Sequence, residues 1–284
     1  MWYDQIDICP VPWYYRLRTV SGVQVCIYAE HKDIYSSYGD WRLDILIYSS
    51  AAMSSYKYMY LHGLGSSSRS SKAAALHHYL LAKHNITLHV PDCNIPSFNQ
   101  LSVNAIISTL KTEIQSTPSH KYRLLGSSLG GLCTALVTNQ LSIQHIDSII
   151  LLCPAFNILD AITQWCLKSS ESGIDEWKST NSHIFFNYAI NSNQSIHYQF
   201  YHELQSTPQY PMIDCPVYIV HGTHDNIISI STSHKYIDLL KQYRVEHNMT
   251  TDNIQLLEVN DDHSLTTDHT IQRIEQLIDE KWFR

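Results

Sequence analysis

From Tyr58 onwards, short apolar runs alternate with amphipathic stretches, and this alternation limits the possible folds more than any other feature of the chain. The apolar runs predict strands over 58–61, 86–90, 122–125, 146–153, 217–221 and 254–259. Helices are predicted between them, near 71–83, 99–116, 129–141, 231–243 and 268–281. Apolar strands that alternate with helices are typical of a mostly parallel sheet covered on both faces. The sequence therefore predicts an α/β fold.

Two regions depart from this alternation. Residues 1–55 are β-rich, with a hairpin predicted around Ser21-Gly22 and a further strand in RLDILIY, and we expect them to form an N-terminal part of the core. Residues 155–210 separate two strands by more than one crossover needs and are rich in aromatic residues. A long insertion of this kind predicts a helical lid over a ligand site. The predicted core is therefore 1–154 with 211–284, and the predicted lid is 155–210.

Composition excludes several classes of function. Net charge is −7, and no block of five like charges occurs, so nucleic acid is not an expected partner. No apolar run approaches the ~20 residues of a transmembrane helix, so stable membrane insertion is not expected. The first residues lack the basic and apolar regions of a secretory signal. Seven cysteines without a CxxC pair indicate reduced thiols, so we expect a cytoplasmic protein. The oligomeric state has no signature in the sequence.

The stretch from Gly126 to Gly130 fits the pattern G-x-S-x-G, centred on Ser128. It follows a predicted strand and precedes a predicted helix, which is the context of a nucleophile elbow. The alternative interpretation is a glycine-rich turn that only joins the two elements. Ser127 is a second candidate nucleophile, although it lacks the symmetric glycines.

A serine hydroxyl needs a base, and the base needs an orienting carboxylate. Asp225 follows the strand VYIVH, and His263 follows the last predicted strand, so both lie at the end of the sheet where Ser128 lies. A helix-capping aspartate and a surface histidine are the simpler interpretations of these two residues. Weaker candidates are Asp160 for the acid and, for the base, His221, His224 and His269.

The developing oxyanion would need two donors. One is the backbone N–H of Leu129, directly after the nucleophile. The other is predicted in the loop His62-Gly63-Leu64-Gly65 after the first strand of the alternation, where small residues let the N–H of Leu64 approach a substrate.

These motifs resemble the α/β-hydrolase superfamily over about residues 55–284, through YLHGLGSS, LLGSSLGG, HGTHD and DDHSL. Small bacterial YqiA-like esterases are the most similar group. The resemblance implies an α/β-hydrolase fold, with Ser128, Asp225 and His263 as the triad and with Leu64 and Leu129 as the oxyanion donors.

The expected substrate is a small-molecule ester. We predict a serine hydrolase that cleaves esters of an apolar acyl or alkyl group through an acyl-enzyme, because the insertion offers much apolar surface. An acyl thioesterase and a non-catalytic binding protein of the same fold are the alternatives. The aromatic residues of the insertion either line a pocket or form its own core. The candidate pocket residues are His62, Phe156, Trp165 and Trp177.

No cofactor or metal is expected. The sequence contains neither GxGxxG nor a P-loop, and its histidine group lacks both HExxH and a cysteine pair, so a surface helix is the preferred interpretation of His77, His78, His84 and His89. Arg69 and Lys72 could meet an anionic group of a substrate. The preferred interpretation is that both are solvated residues at the start of a helix.

Overall fold

The structure is a computed structural model that describes residues 55–141, 143–169 and 172–284, together with three backbone strands before residue 55. The chain divides into two compact units, Met1–Ser54 and Ser55–Arg284. In the first unit, an antiparallel sheet forms in the order β1-β2-β3 from β1 (Tyr14–Arg18), β2 (Gln24–His31) and β3 (Trp41–Tyr48). The turn predicted at Ser21-Gly22 lies outside the described residues. That this unit belongs to the core remains a prediction.

The second unit contains a six-stranded sheet and a separate two-stranded hairpin. Its strands are β4 (Ser55–Leu61), β5 (Leu88–His89), β6 (His120–Ser127), β7 (Ile146–Leu152), β8 (His183–Asn187), β9 (Ser192–Ile196), β10 (Val217–Gly222) and β11 (Ile254–Val259). The large sheet has the order β11-β10-β7-β6-β4-β5, and its pairings are all parallel. β5 is shorter than predicted, because Pro91 follows closely and has no N–H with which to continue the ladder.

The described residues contain eight helices. They are α1 (Ser71–His84), α2 (Val103–Gln115), α3 (Leu129–Gln140), α4 (Ile158–Ser169), α5 (Gly173–Thr180), α6 (Tyr198–Ser206), α7 (Ser231–Glu246) and α8 (Asp268–Trp282). All five predicted helices are present. No helix among the described residues is both long enough and apolar enough to cross a bilayer.

Helices cover both faces of the parallel sheet, as predicted. Successive strand side chains point to opposite faces. On β4, Tyr58 and Tyr60 pack in the cluster that contains the buried residues of α1 and α8. Met59 and Leu61 pack in the cluster that contains those of α2, α3 and α7. This arrangement confirms the predicted fold class, and it leaves the carboxyl ends of the strands free to carry a site.

The insertion between β7 and β10 consists of α4, α5, the β8–β9 hairpin and α6, so it is not purely helical. The indole of Trp177 is fully buried, and its Nε1 donates a hydrogen bond to the Ile196 carbonyl at 2.8 Å. Four aromatic rings surround the Trp177 ring, with centroid-to-centroid distances of 5.1–6.1 Å; they are those of His183, Phe185, Tyr198 and Tyr201. The aromatic residues of the insertion therefore form a buried cluster around Trp177, which is continuous with the core on one face of the sheet. That it acts as a lid remains a prediction.

Replacing Trp177 tests this cluster. Trp177→Ala should lower the free energy of unfolding by about 3–5 kcal/mol, because it empties a large buried volume and leaves the Ile196 carbonyl unpaired. Urea unfolding measures the change. Phe186→Ala, which removes an aromatic ring of the same insertion that is 42% exposed, is the matched control and should cost less than about 1 kcal/mol. Equal effects of the two variants would contradict the assignment.

Candidate active site

Ser128 lies in a sharp turn between β6 and α3. Its backbone has φ 54° and ψ −121°, a conformation that residues other than glycine adopt rarely. Although Ser128 is the N-cap of α3, its side chain makes no capping hydrogen bond. The hydroxyl is therefore held at the carboxyl end of the sheet and is available to another partner.

Two glycines allow the chain to pass close to this turn. A Cβ atom on Gly130 would lie 2.2 Å from the carbonyl oxygen of Leu61 and 2.5 Å from that of His62. A Cβ atom on Gly63 would lie 3.0 Å from Ser128 Cβ. Any other residue at Gly130 would push α3 away from β4, and a side chain at Gly63 would crowd the serine.

The hydroxyl of Ser128 begins a chain of hydrogen bonds across three loops. Ser128 Oγ lies 2.9 Å from His263 Nε2, and His263 Nδ1 lies 2.7 Å from Asp225 Oδ2. The carboxylate accepts from Nδ1, so Nε2 is left to accept the serine proton. Asp225 follows β10 and His263 follows β11, as the sequence predicted. The structure brings all three residues together.

Asp225 is the most constrained member of this chain. Its side chain is fully buried. Oδ1 accepts from the N–H groups of Ile227 and Ile228 at 2.9 and 2.8 Å, and Oδ2 accepts from His263 and, at 3.2 Å, from His221. Burial alone would raise the pKa of Asp225, but hydrogen bonds from His221 and His263 outweigh it and hold that pKa well below its usual range. The carboxylate therefore stays ionised at neutral pH.

His221 is a residue of the site that sequence reasoning considered only as a rival base. Its Nε2 lies 3.0 Å from the Ile228 carbonyl and 3.2 Å from Asp225 Oδ2, both acceptors, so this nitrogen carries the proton. Its Nδ1 lies 2.8 Å from Ser233 Oγ, from which it accepts. A second histidine thus donates to the acid of the chain. The signal was a histidine at the end of an otherwise apolar strand, where a buried polar group needs partners.

The other candidates for base and acid lie elsewhere. His224 and His269 are exposed, and Asp160 lies exposed in the first turn of α4. The Ser127 hydroxyl accepts from Lys72 Nζ at 3.2 Å, so it is bound to a different group.

Three possible metal ligands lie together beside the acid, namely Cys153, His221 and Asp225. Burial raises the pKa of the Cys153 thiol, which disfavours the thiolate that a metal would need. The Nε2 proton of His221 is already donated, and Asp225 is saturated. We therefore assign no metal to this group. The histidines of the predicted surface group do not converge either, because His77, His84 and His89 face Leu88, Asp279 and Glu113, respectively.

The predicted oxyanion donors lie on the two segments that flank Ser128. Neither the Leu64 N–H nor the Leu129 N–H donates to a backbone carbonyl within the described ranges. Leu129 is the first residue of α3, at the positive end of its dipole. Leu64 lines the cavity at Ser128, one residue after Gly63. Their role as oxyanion donors remains a prediction.

A cavity of about 450 Å³ opens at Ser128 and His263. Leu64, Ile227 and two tyrosines contribute its apolar surface. Polar groups line much of the rest, including Ser66, Ser70, Ser71, Lys72, Ser127, Asn226, Asp262, Ser264 and Thr266. The wall therefore combines apolar side chains with hydroxyl, amide and charged groups.

The residues predicted to line the pocket lie away from this wall. Phe156 is fully buried against Tyr236, with ring centroids 4.0 Å apart, and Trp177 lies at the centre of the buried cluster of the insertion. Trp165 packs on the same core cluster. His62 is buried. Its Nδ1 donates to the Gly63 carbonyl at 3.0 Å and its Nε2 accepts from the Cys93 N–H at 2.9 Å, so it supports the loop that carries Gly63. Burial in the core, where aromatic side chains gain most, explains this difference.

Lys72 also differs from its predicted environment. It is only 8% exposed, whereas its neighbour Arg69 is exposed as expected. Lys72, Leu76 and Leu80 recur every fourth residue along α1 and are all buried. The lysine therefore occupies the inward face of the helix, one turn beyond the apolar core and at the wall of the cavity.

The insertion touches the oxyanion loop through the turn of its hairpin. Ala189 N–H donates to the Gly65 carbonyl at 3.1 Å, and the Tyr188 ring lines the cavity. Gly65 lies so close to the hairpin that a Cβ there would be 2.6 Å from the Phe186 carbonyl oxygen.

Several solved structures share this fold at low identity. Alpha/beta hydrolase domain-containing protein 10 from mouse is 14% identical, with a TM-score of 0.60 over 94% of this chain and 97% of that one. Est1E from Butyrivibrio proteoclasticus is 14% identical, with a TM-score of 0.59 over 94% and 96%. The Pyrococcus furiosus esterase Pf2001 is 12% identical, with a TM-score of 0.52 over 94% and 92%. These likenesses show the α/β-hydrolase fold.

No curated protein matches the chain. The family profile described as an uncharacterised protein family, UPF0227, matches residues 57–258. That range contains Ser128 and Asp225, and His263 follows it closely. The chain therefore belongs to the uncharacterised protein family UPF0227 and has the α/β-hydrolase fold.

Proposed function

We propose that this protein is a serine hydrolase that cleaves carboxylic esters through an acyl-enzyme on Ser128. One observation carries the proposal, namely the continuous hydrogen-bond chain from Ser128 Oγ through His263 to the buried Asp225. A serine held in a rare backbone conformation, with its hydroxyl bonded to an oriented imidazole, is the arrangement that nucleophilic catalysis requires.

In the acylation step, His263 Nε2 takes the proton of Ser128 as Oγ attacks the ester carbonyl. The negative charge on the carbonyl oxygen is received by the N–H groups of Leu64 and Leu129. The ionised Asp225 stabilises the imidazolium and does not take its proton, in keeping with its lowered pKa. His263 then returns the proton to the leaving alcohol, and the acyl group remains on Ser128.

In the deacylation step, a water molecule replaces the alcohol. The oxygen of this water attacks the acyl carbonyl while His263 takes one of the water protons. The tetrahedral intermediate then collapses, the bond between the acyl carbon and Ser128 Oγ breaks, and the carboxylic acid is released. The proton passes back to Ser128 Oγ, which restores the enzyme. One ester and one water thus become one acid and one alcohol.

The sequence predicted a substrate with an apolar acyl or alkyl group, and the apolar part of the cavity lining is consistent with such a group. A long acyl chain alone would leave the hydroxyl groups and the buried lysine of the same lining without partners, so we expect a polar portion of the substrate beside them. We therefore propose short esters with a polar portion.

A fluorophosphonate probe tests the nucleophile, because only an activated serine reacts rapidly with it. Mass spectrometry of the labelled wild-type protein should locate the adduct on Ser128. Ser128→Ala should abolish labelling and lower kcat/KM for p-nitrophenyl acetate by at least about a thousandfold. Ser127→Ala is the matched control and should still be labelled at position 128.

Folded wild-type protein that takes no label and hydrolyses no ester would contradict the proposal and would favour a non-catalytic binding protein. Comparing kcat/KM for an oxygen ester and a thioester with the same acyl group separates an esterase from a thioesterase.

The buried acid makes a prediction about pH and stability. Because its folded pKa is depressed, the stability contributed by Asp225 is present above the unfolded pKa of about 3.9 and is lost as pH falls through the lower folded value. Asp225→Asn should therefore cost at least about 2 kcal/mol in the free energy of unfolding at pH 7, and the deficit should shrink below about pH 4.

Urea unfolding at pH 7, 5 and 3.5 measures this deficit. The exposed Asp160→Asn is the matched control and should cost less than about 1 kcal/mol. A deficit for Asp225→Asn that is small, or that does not change with pH, would show that the carboxylate is not held as described.

A further inference from the structure

Ester hydrolysis by the triad does not use the ammonium group of Lys72, although this residue lines the cavity. Its Nζ donates to Ser127 Oγ at 3.2 Å, and Ser127 directly precedes Ser128. The residue is only 8% exposed, yet it lines the same cavity as Ser128 and His263. A cation is thus held beside the nucleophile.

This cation has no carboxylate partner within the described part of the chain. No ion pair joins Lys72 to an acid there, and the acids nearest the cavity are bound to other groups. Asp261 accepts from Thr267, Asp262 accepts from the Ser264 N–H, and Asp225 is saturated by its four donors. A lysine is rarely buried without a partner, because leaving water is costly for the charged amine.

The surroundings of Lys72 otherwise favour a negative ligand. Lys72 lies in the first turn of α1, whose dipole is positive at that end, and the serines at positions 70 and 71 line the cavity beside it. Burial lowers the pKa of Lys72 to about 8, while Cys153, Asp261, Asp262 and Asp225 act in the opposite direction. The amine is therefore still mainly protonated at pH 7.

We propose that Lys72 is the counter-ion for a carboxylate on the substrate, so that the enzyme cleaves esters of which one part carries a free carboxylate group. This inference rests on the proposed hydrolase function and names its substrate class. The substrate carboxylate would accept hydrogen bonds from the two remaining N–H groups of the Lys72 ammonium group. It would also be the negatively charged partner that Lys72 lacks among the described residues.

A single negative charge fits this cavity better than two. Lys72 provides one positive charge, and Asp262 also lines the wall. A phosphate dianion would bring a second charge that no other described lysine or arginine of the cavity lining neutralises. We therefore expect a carboxylate rather than a phosphate.

Paired esters, in each of which a free carboxylate is replaced by its methyl ester, test the proposal. For the acyl side, the p-nitrophenyl half-esters of adipate, pimelate and suberate are each compared with the corresponding methyl p-nitrophenyl diester. For the alcohol side, 4-acetoxybenzoate is compared with its methyl ester. The readout is the ratio of kcat/KM for the anionic ester to that for its neutral counterpart, measured for at least one pair on each side.

Wild-type protein should prefer the anionic ester of at least one pair. Lys72→Met, which keeps most of the unbranched side chain but removes the charged amine, should lower that ratio by roughly 10- to 100-fold, the usual range for a hydrogen bond to a charged group. Lys72→Arg should retain part of the preference because it keeps the charge. Arg69→Met is the matched control, since Arg69 is a nearby exposed cation outside the cavity lining, and it should leave the ratio within about twofold.

The pH dependence of the same ratio separates binding from support of the fold. His263 acts on both esters of a pair, so its contribution to the rate cancels in the ratio. In the wild type the ratio should fall as pH rises through about 8, where free Lys72 loses its proton. In Lys72→Met this fall should be absent. A purely structural lysine would produce no such fall.

The possible failures are distinguishable. If Ser128 is labelled and neutral esters are cleaved, but the wild type shows no preference for an anionic ester in any pair, the lysine is not a carboxylate site and the hydrolase proposal stands. Equal losses for both esters in Lys72→Met would likewise overturn the inference, because the lysine would then only position the turn at Ser127. Wild-type protein that is neither labelled nor active on any ester would overturn the proposed function and this inference with it.

Discussion

The ionised carboxylate of Asp225 is the constraint on which the rest of the site depends. A buried charge is tolerated only where donors replace the lost water, and this one receives two backbone N–H groups and two imidazoles. The backbone donors fix the loop after β10. His221 links Asp225 to the start of α7, because it also accepts a hydrogen bond from Ser233. His263 links Asp225 to Ser128, because its other ring nitrogen lies within hydrogen-bond distance of the serine hydroxyl. One carboxylate thus sets the positions of Asp225, His263 and Ser128, which lie on segments far apart in sequence.

The sheet order explains why these segments meet. β4 leads through α1 to β5 at one edge, whereas β6 lies on the other side of β4, so the connections diverge between β4 and β6. A crevice forms where connections diverge, at the carboxyl ends of the strands. The loop at Gly63 and the turn at Ser128 face each other there, and the parallel strands β10 and β11 deliver the acid and base to the same end.

Much of this arrangement could be predicted from the sequence because it follows from strand ends. Ser128, Asp225 and His263 each follow an apolar run, and parallel strands bring such positions together.

The cavity wall could not be predicted in the same way. Whether Trp177 faces a ligand or a core depends on packing within an insertion whose hairpin has no clear apolar alternation. Lys72 resembles a solvated residue in the sequence. Its burial becomes clear only when its four-residue spacing with Leu76 and Leu80 is combined with the packing of α1 against the sheet. The role of His221 was also hidden, since this residue of β10 shares the Asp225 carboxylate with His263 only in three dimensions.

The hydrogen bond from Ala189 to Gly65 joins the insertion to the loop that carries the proposed oxyanion donor Leu64. The position of the hairpin, which limits the space in the cavity through Tyr188, is therefore linked to the position of the Leu64 N–H. A substrate large enough to displace the hairpin would also pull on the backbone that is needed to stabilise its transition state. Size selection can thus operate on the rate of the chemical step as well as on binding, without any residue of the insertion touching the reacting atoms.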